Sequence, residues 1–197
     1  EAYHIPVTIV INKSDIDKRK ANIYREYLLK LYSDVGYPIY SLSFLNQDDI
    51  KIIEDLIANK SVLLSGNSGV GKSTFAVNIA VALSELGKKV GILDADIYGP
   101  SVPRMMGISG RPEASPNKKL IPLESYGIKC MSIGFLVSVD TPTIWRGPMV
   151  MKALEQMFNG VEWGNLDYLI IDLPPGTGDA QITLAQSSKL SGSIIVS

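Results

Sequence analysis

A nine-residue run that begins at Gly66 constrains the fold of this chain more than any other feature. Its first eight residues fit the pattern G-x-x-x-x-G-K-[ST], with an apolar strand predicted at 61–64 and a helix at 72–86. In that setting, backbone N–H groups at a helix N-terminus surround phosphates. The residues predicted to hold a nucleotide are Gly66, Asn67, Ser68, Gly69, Val70, Gly71, Lys72, Ser73 and Thr74.

Two residues of this run have predicted roles beyond the backbone cradle. We expect the Lys72 ammonium to act on the β- and γ-phosphates and the Ser73 hydroxyl to ligate Mg²⁺. A chance match in a glycine-rich turn is the alternative, and the strand and helix on either side argue against it.

The rest of the chain alternates short apolar strands with helical patterns. Strands are predicted at 7–11, 38–43, 61–64, 89–94, 128–133, 168–172 and 193–196, and helices at 17–32, 47–58, 72–86, 148–158 and 180–190. This alternation predicts an α/β fold with a doubly wound, mainly parallel sheet. Residues 98–122 are rich in Pro and Gly, which favours either a solvated excursion or a loop that responds to nucleotide or a partner.

Composition narrows the class of protein. The 197 residues suffice for one domain, and the formal net charge of −1 offers no global electrostatic reason for a nucleic-acid or membrane partner, although a local basic patch remains possible. The single cysteine, Cys130, excludes an internal disulfide and is expected to be a small core residue on a strand. We expect a cytoplasmic protein without a signal peptide, cut at both ends from longer chains.

Acidic residues end two of the predicted strands. Asp172 closes an apolar strand before a Pro-Pro-Gly turn, where it is placed to hold Mg²⁺, and the N–H of Gly176 is placed to meet the γ-phosphate. Asp94 and Asp96 end another strand and point the same way, so one is expected to help organise Mg²⁺ and the other to orient water. Ordinary solvated strand ends are the alternative for these acids.

A third polar strand end, Asn12-Lys13-Ser14-Asp15, follows the strand at 7–11. A carboxylate there can accept hydrogen bonds from two guanine N–H donors, whereas adenine has no such donor pair. The N-K-x-D pattern is short, and it gains weight because a phosphate loop lies in the same chain.

The first part of the chain resembles the circularly permuted ribosome-assembly GTPases of the RsgA type. The resemblance runs from Val10-Ile11-Asn12-Lys13-Ser14-Asp15 through Ser41-Leu42-Ser43 to the phosphate loop, and N-K-x-D precedes that loop as it does in the family. The resemblance implies that Asn12, Lys13 and Asp15 read guanine and that the segment starting at Ser41 backs the base.

The remainder resembles a different family, the Mrp/ApbC-like ATPases that carry iron–sulfur clusters. Its motifs appear as Leu93-Asp94-Ala95-Asp96-Ile97-Tyr98-Gly99-Pro100-Ser101, Trp145-Arg146-Gly147-Pro148 and Ile171-Asp172-Leu173-Pro174-Pro175-Gly176-Thr177-Gly178-Asp179. The resemblance implies that Asp96 positions the attacking water and that Asp172 is the Walker B acid.

Each family's pattern is incomplete here. Asn67 stands where the Mrp-like loop carries a second lysine that acts across a dimer, and the C-x-x-C that would bridge a cluster is missing. The missing lysine argues against dimer-linked catalysis but leaves a homodimer open, and the missing cysteines argue against an iron–sulfur cluster. The RNA-binding barrel and the zinc-binding domain of the RsgA type are also missing.

We therefore predict one P-loop domain over 1–197, in circularly permuted order, made of a GTPase-like segment at 1–68 and an Mrp-like segment at 69–197 that join within 69–74. The predicted activity is Mg²⁺-dependent hydrolysis of GTP or ATP, slow, with a modest preference for GTP. The predicted catalytic residues are Lys72, Asp96 and Asp172, and the predicted metal residues are Ser73, Asp94 and Asp172. An Mrp-like ATPase core and a binding-only scaffold are the alternatives.

Overall fold

The computed structural model describes residues 6–32, 35–43, 46–57, 61–66, 69–97, 99–136, 147–174 and 190–196. Within them the strands are β1 (Val7–Ile11), β2 (Ile39–Ser41), β3 (Ser61–Gly66), β4 (Val90–Asp94), β5 (Leu123–Ser125), β6 (Ile128–Ser132), β7 (Tyr168–Asp172) and β8 (Gly192–Val196). The helices are α1 (Lys18–Leu31), α2 (Gln47–Ile57), α3 (Lys72–Glu85), α4 (Val102–Met105) and α5 (Gly147–Asn159), with a 3₁₀ turn at Ile133–Phe135. In this part of the chain no helix is long and apolar enough to cross a membrane.

The strands form one sheet in the order β2-β1-β8-β3-β7-β4-β6-β5, parallel except where β5 meets β6. The predicted mainly parallel α/β sheet is therefore confirmed. The connection from β1 to β2 through α1 runs toward one edge of the sheet, and the connection from β3 to β4 through α3 runs toward the other edge. Because such connections are right-handed, α1 and α3 lie on opposite faces of the sheet. Strand β3, which leads into the phosphate loop, lies between β8 and β7.

Side chains of β1 show both faces of the sheet being covered. Ile9 and Ile11 pack in a small core with Ala21 and Leu28 of α1, whereas Val10 belongs to the larger core on the other face. This alternation is what a strand period of two produces when both faces are buried. Sheet pairing also joins the two ends of the sequence, because Ile9 and Ile195 are register partners between β1 and β8.

Several elements differ from the sequence prediction. β2 is shorter than predicted, although Leu42 N still donates to Ile11 O at 3.0 Å beyond its end. The short antiparallel strand β5 was not predicted because three residues carry too little periodicity to register. Most of the helix predicted at 180–190 lies outside the described residues.

The Pro- and Gly-rich segment is more ordered than a solvated excursion. Val102 at the start of α4 and Met106 directly after it are buried, and Leu120 forms β-bridges to Ala114 and to Val161. Prolines there end elements early without preventing burial. Cys130 on β6 is fully buried, as predicted for a small core residue.

Candidate functional site

The phosphate loop joins β3 to α3 through glycines in the left-handed region. Gly69 and Gly71 have φ of 86° and 84°, a conformation that disfavours other residues. Gly71 is the N-cap of α3, and its carbonyl accepts from Phe75 N at 2.8 Å. Asn67 and Ser68, the centre of the predicted loop, lie outside the described residues.

The first glycine of the loop is required by close approach of another strand. A Cβ at Gly66 would collide with the carbonyl oxygen of Val196 on β8. Strand β8 comes from the far end of the sequence, so the two halves of the chain meet at the start of the loop.

Lys72, the first residue of α3, is buried and forms an ion pair with Asp172. Its Nζ donates to Asp172 Oδ1 at 2.6 Å and also to the carbonyl oxygen of Leu173. Both bonds join the phosphate loop to the end of β7. The lysine predicted to act on phosphates therefore forms a buried ion pair with the acid predicted to hold the metal.

Asp172 is only partly satisfied in this arrangement. Its Oδ2 is buried and has no hydrogen-bond partner in the described part of the molecule. Burial raises the pKa of Asp172, and the adjacent Lys72 ammonium and a hydrogen bond from Ser73 oppose that rise. An unpartnered carboxylate oxygen next to the Ser73 hydroxyl offers the hard oxygen ligands that Mg²⁺ prefers.

Asp94 lies directly beside Asp172, because the two are register partners on the neighbouring strands β4 and β7. Its Oδ2 accepts from Ser132 Oγ at 3.0 Å and from Val102 N at 3.2 Å, and its Oδ1 accepts from Asp96 N at 3.2 Å. Both carboxylate oxygens of this buried residue are therefore engaged by protein donors.

The surroundings of Asp94 favour its protonated form. Burial, followed by the charge of Asp172, raises the pKa of Asp94 to about 7, and the bonds from Ser132 and two backbone N–H groups act in the opposite direction. Asp96, two residues further on, is half-buried at the same edge of the sheet.

The predicted base-reading residues begin where β1 ends. Asn12 Nδ2 lies 3.5 Å from Val70 O, and an added Cβ at Gly71 would lie 3.2 Å from Asn12 Nδ2 and 3.4 Å from Lys13 Cε. Lys13 adopts a left-handed φ of 58°, and its N–H donates to Asn12 Oδ1 at 2.9 Å. Asn12 and Lys13 therefore contact the phosphate loop across 58 residues of sequence.

The remaining residues predicted to contact the base are Asp15, in the loop that follows β1, and Ser41, at the end of β2. Asp15 is exposed, and its neighbour Ser14 donates its N–H to Leu42 O at 3.2 Å. Ser41, at the end of β2, has a buried Oγ without a hydrogen-bond partner among the described residues. The N-K-S-D segment and the segment at Ser41–Ser43 are thus neighbours, as the order of strands β1 and β2 requires.

The structure does not describe every predicted site residue, and it adds residues that were not predicted. Gly176 lies outside the described residues, and within those residues no group of three His, Cys, Asp or Glu side chains is arranged to hold a metal. Two contacts were not predicted: Ser132 donates to the buried carboxylate of Asp94, and the carbonyl of Leu173 accepts from Lys72. Only the position of Ser132 at the end of a strand beside β4 signals its role.

Comparison with known proteins gives two overlapping family matches. The model described as NUBPL iron-transfer P-loop NTPase matches residues 56–197, and the RsgA GTPase model matches residues 1–91. The overlap, 56–91, contains the phosphate loop and α3. The sequence resemblance to both families is supported to this extent.

Individual relatives point to the first family. An Arabidopsis thaliana protein named iron-sulfur protein required for NADH dehydrogenase, mitochondrial, is 57% identical over 74% of this chain and 45% of its own length. The iron-sulfur cluster transfer protein NUBPL of Mus musculus is 50% identical over 81% of this chain and 49% of its own length. The chain spans about half the length of these curated relatives.

Solved structures agree on the fold. A nucleotide-binding protein from Archaeoglobus fulgidus in complex with ADP is 41% identical, with a TM-score of 0.60 over 77% of this chain and 59% of the other. The chimerical protein CapA2B2, 17% identical with a TM-score of 0.50, covers 99% of this chain and 95% of its own and supports the fold alone. Because its family model matches well over half of the sequence, the chain belongs to the NUBPL iron-transfer P-loop NTPase family.

Proposed function

We propose that this chain binds a Mg²⁺–nucleoside triphosphate at the phosphate loop and hydrolyses it slowly, with GTP modestly preferred over ATP. The observation that carries the preference is the contact of Asn12 and Lys13 with Val70 and Gly71. That contact ties the N-K-S-D segment to the loop, so a base held near Asp15 and phosphates held near Lys72 belong to one site.

We further infer that residues 1–197 act as one nucleotide-binding domain. Its GTPase-like segment is 1–68, its Mrp-like segment is 69–197, and the junction is within 69–74. The parallel pairing of β1 with β8 supports this proposal, because β1 of the GTPase-like segment is joined to the central strand β3 only through β8 of the Mrp-like segment.

The proposed roles follow from burial and hydrogen bonding. Lys72 exchanges its present partners, Asp172 and Leu173, for phosphate oxygens. Ser73 and Asp172 hold Mg²⁺, for which the unpartnered Oδ2 of Asp172 is the fitting acceptor. Mg²⁺, when bound, neutralises charge on the phosphates.

The remaining acids act around this metal position. We assign Asp94 an indirect role at the metal position, because both of its carboxylate oxygens already accept hydrogen bonds from Ser132, Val102 and Asp96. The hydrogen bond from Asp96 N to Asp94 holds the turn that carries Asp96. We assign to Asp96 the role of positioning the attacking water. Catalysis of this kind rests on placing water and charge. We expect slow turnover because the first part of the chain, through the phosphate loop, and the water-positioning acids resemble two different families.

Multiple-turnover phosphate release with GTP and with ATP, each with Mg²⁺, tests this assignment. We expect slow release with both nucleotides, and for Asp96→Asn we expect at least tenfold slower release with nearly unchanged nucleotide affinity. Asp55→Asn, on the exposed side of α2, is the matched control. Release limited to one equivalent or less would identify a binding-only scaffold, and turnover with ATP alone an Mrp-like ATPase core.

The names of the relatives raise a second candidate, carriage of an iron–sulfur cluster. Cluster ligands are thiolates, and the one cysteine of this chain is buried, with a pKa raised to about 12 by burial and by the charge of Asp94. We therefore do not assign cluster carriage to Cys130. Anaerobic reconstitution that loads a stable cluster onto a homodimer, and fails with Cys130→Ser, would reverse that assignment.

A further inference from the structure

Helix α1 concentrates positive charge that the chain as a whole lacks. Its fourteen residues contain five basic side chains and one acidic side chain, a net charge of +4, whereas the complete sequence has a net charge of −1. The basic residues are Lys18, Arg19, Lys20, Arg25 and Lys30, and the acidic residue is Glu26. At the ionic strength of a cell, charges gathered on one helix act together over about 8 Å.

The same helix has an apolar face that the sheet does not cover. Its inner face buries Ala21 and Leu28. On another face, Ile23, Tyr27 and Leu31 recur every four residues and are 58%, 58% and 55% exposed. Ile16, in the turn before the helix, is 73% exposed. We call Ile16, Ile23, Tyr27 and Leu31 the α1 stripe, and it runs for roughly 20 Å.

A groove lies at the N-terminal end of this helix. It is an open groove of about 380 Å³, and its lining includes the apolar residues Ile11, Ile16, Ala21 and Tyr24 together with Lys20 and Asp17, which form an ion pair at 3.4 Å. Tyr24, which lines the groove, stacks on Tyr27 of the α1 stripe with the ring centroids 6.2 Å apart. A concavity of this size has room for one large apolar side chain.

We propose that helix α1 docks an acidic amphipathic helix of a partner protein. One large apolar side chain of that partner enters the groove, its remaining apolar residues lie along the α1 stripe, and its carboxylates face Arg19, Lys20 and Lys30. This is the helix-in-groove mode of recognition, in which apolar anchors supply contact and opposite charges supply selectivity.

Two features favour a helix over other anionic partners. The stripe is long and narrow, and its length matches about four turns of a helix, whereas a flat lipid surface would leave the groove unfilled. Three of its four residues are aliphatic, and Tyr27 already stacks on Tyr24, so the surface lacks the free aromatic platform on which single-stranded nucleic acid stacks.

The test uses a fluorescein-labelled peptide of about 18 residues with Leu or Phe at every third or fourth position and Glu and Ala elsewhere, the pattern of an amphipathic helix. Fluorescence anisotropy on the full chain should show saturable binding that is at least tenfold tighter than that of a scrambled peptide of equal composition. The affinity should fall as salt is raised.

Two surface variants locate the binding. We expect Ile23→Ser with Tyr27→Ser, and separately Arg19→Glu with Lys20→Glu, to weaken peptide binding at least tenfold. The matched control, Ile121→Ser with Tyr126→Ser, removes exposed apolar side chains elsewhere and should leave binding unchanged. Circular dichroism and thermal melts check that each variant stays folded.

Equal affinity for the scrambled peptide, or unchanged binding by both α1 variants, would overturn the proposal. So would tighter binding of phosphatidylserine-containing vesicles or of a single-stranded RNA oligonucleotide that the α1 substitutions abolish, because the partner would then be a lipid surface or a nucleic acid.

Discussion

Lys72 Nζ lies 2.6 Å from Asp172 Oδ1, and both side chains are buried at the point where α3 meets the end of β7. Residues one hundred positions apart thus neutralise each other in the space where the phosphates and metal are proposed to bind. A buried ion pair contributes little beyond its apolar equivalent, but removing one partner leaves an uncompensated charge.

We therefore predict that Lys72→Met costs about 3–5 kcal/mol of the free energy of unfolding, measured by urea denaturation without nucleotide or metal. Lys72→Met combined with Asp172→Asn should cost less than Lys72→Met alone, since the carboxylate is then absent. The partly exposed pair Lys88–Glu54, at 3.4 Å, is the control, and Lys88→Met should cost less than about 1 kcal/mol. Simple additivity of Lys72→Met and Asp172→Asn would show that the two groups do not interact in solution.

Gly71→Ala tests the contact between the phosphate loop and the N-K-S-D segment. Gly71 and Gly87 both have left-handed φ, 84° and 78°, so alanine at either position costs about 1–2 kcal/mol in backbone strain. Only at Gly71 does a Cβ meet other residues, Asn12 and Lys13, whereas nothing lies within 4 Å at Gly87. We expect Gly71→Ala to weaken nucleotide binding at least tenfold and Gly87→Ala to leave it unchanged, as measured by calorimetry. Equal effects of the two substitutions would count against the contact.

Ser132→Ala removes a donor to a buried carboxylate. Ser132 Oγ bonds to Asp94 Oδ2 and accepts from Gly134 N, so its loss should cost about 1–3 kcal/mol of unfolding free energy. Ser125→Ala, which removes a bond to the carbonyl of Met106 at 2.8 Å, is the control and should cost about 1 kcal/mol. If Asp94 organises the site, only Ser132→Ala should also slow phosphate release.

Stability without metal should depend on pH through Asp94. Its pKa is about 7 in the folded protein and 3.8 as the ordinary value, so between these limits the folded state holds a proton that the unfolded chain has released. Stability is therefore greatest at low pH, falls by at most about 1.4 kcal/mol per pH unit as pH rises through this window, and levels off above pH 7.

Asp172 shifts in the same direction and adds to this slope. Urea unfolding in EDTA from pH 5 to 8 measures it, with Asp55→Asn as the exposed control. Asp94→Asn should flatten the slope, and an unchanged slope in that variant would assign the titration to another group.

The sequence predicted the larger elements well because their patterns are long. Strand β7 was predicted with its observed bounds, because four apolar residues followed by Asp172 are typical of a buried strand that ends in a Walker B acid beside a phosphate loop. The elements α4 and β5 were missed, because four and three residues carry no usable periodicity and tertiary contacts hold them in place.

Side-chain contacts between distant residues were less accessible from the sequence. Strand ends predicted that Asp94 and Asp172 would share one edge of the sheet, and the register between β4 and β7 makes them neighbours. The bond from Ser132 to Asp94 and the bond from Lys72 to Leu173 depend on how the chain closes in three dimensions. No spacing in the sequence encodes either contact.

The central claim is that the GTPase-like and Mrp-like segments build one site in which Asp15 reads the base. Equilibrium binding of GTP and of ATP, each with Mg²⁺, to the wild type, Asp15→Ala and the exposed control Asp55→Ala tests it most directly. We expect a preference for GTP of about tenfold, or 1.4 kcal/mol, that is lost in Asp15→Ala and kept in Asp55→Ala. Equal affinities in the wild type, or a preference that survives Asp15→Ala, would contradict it.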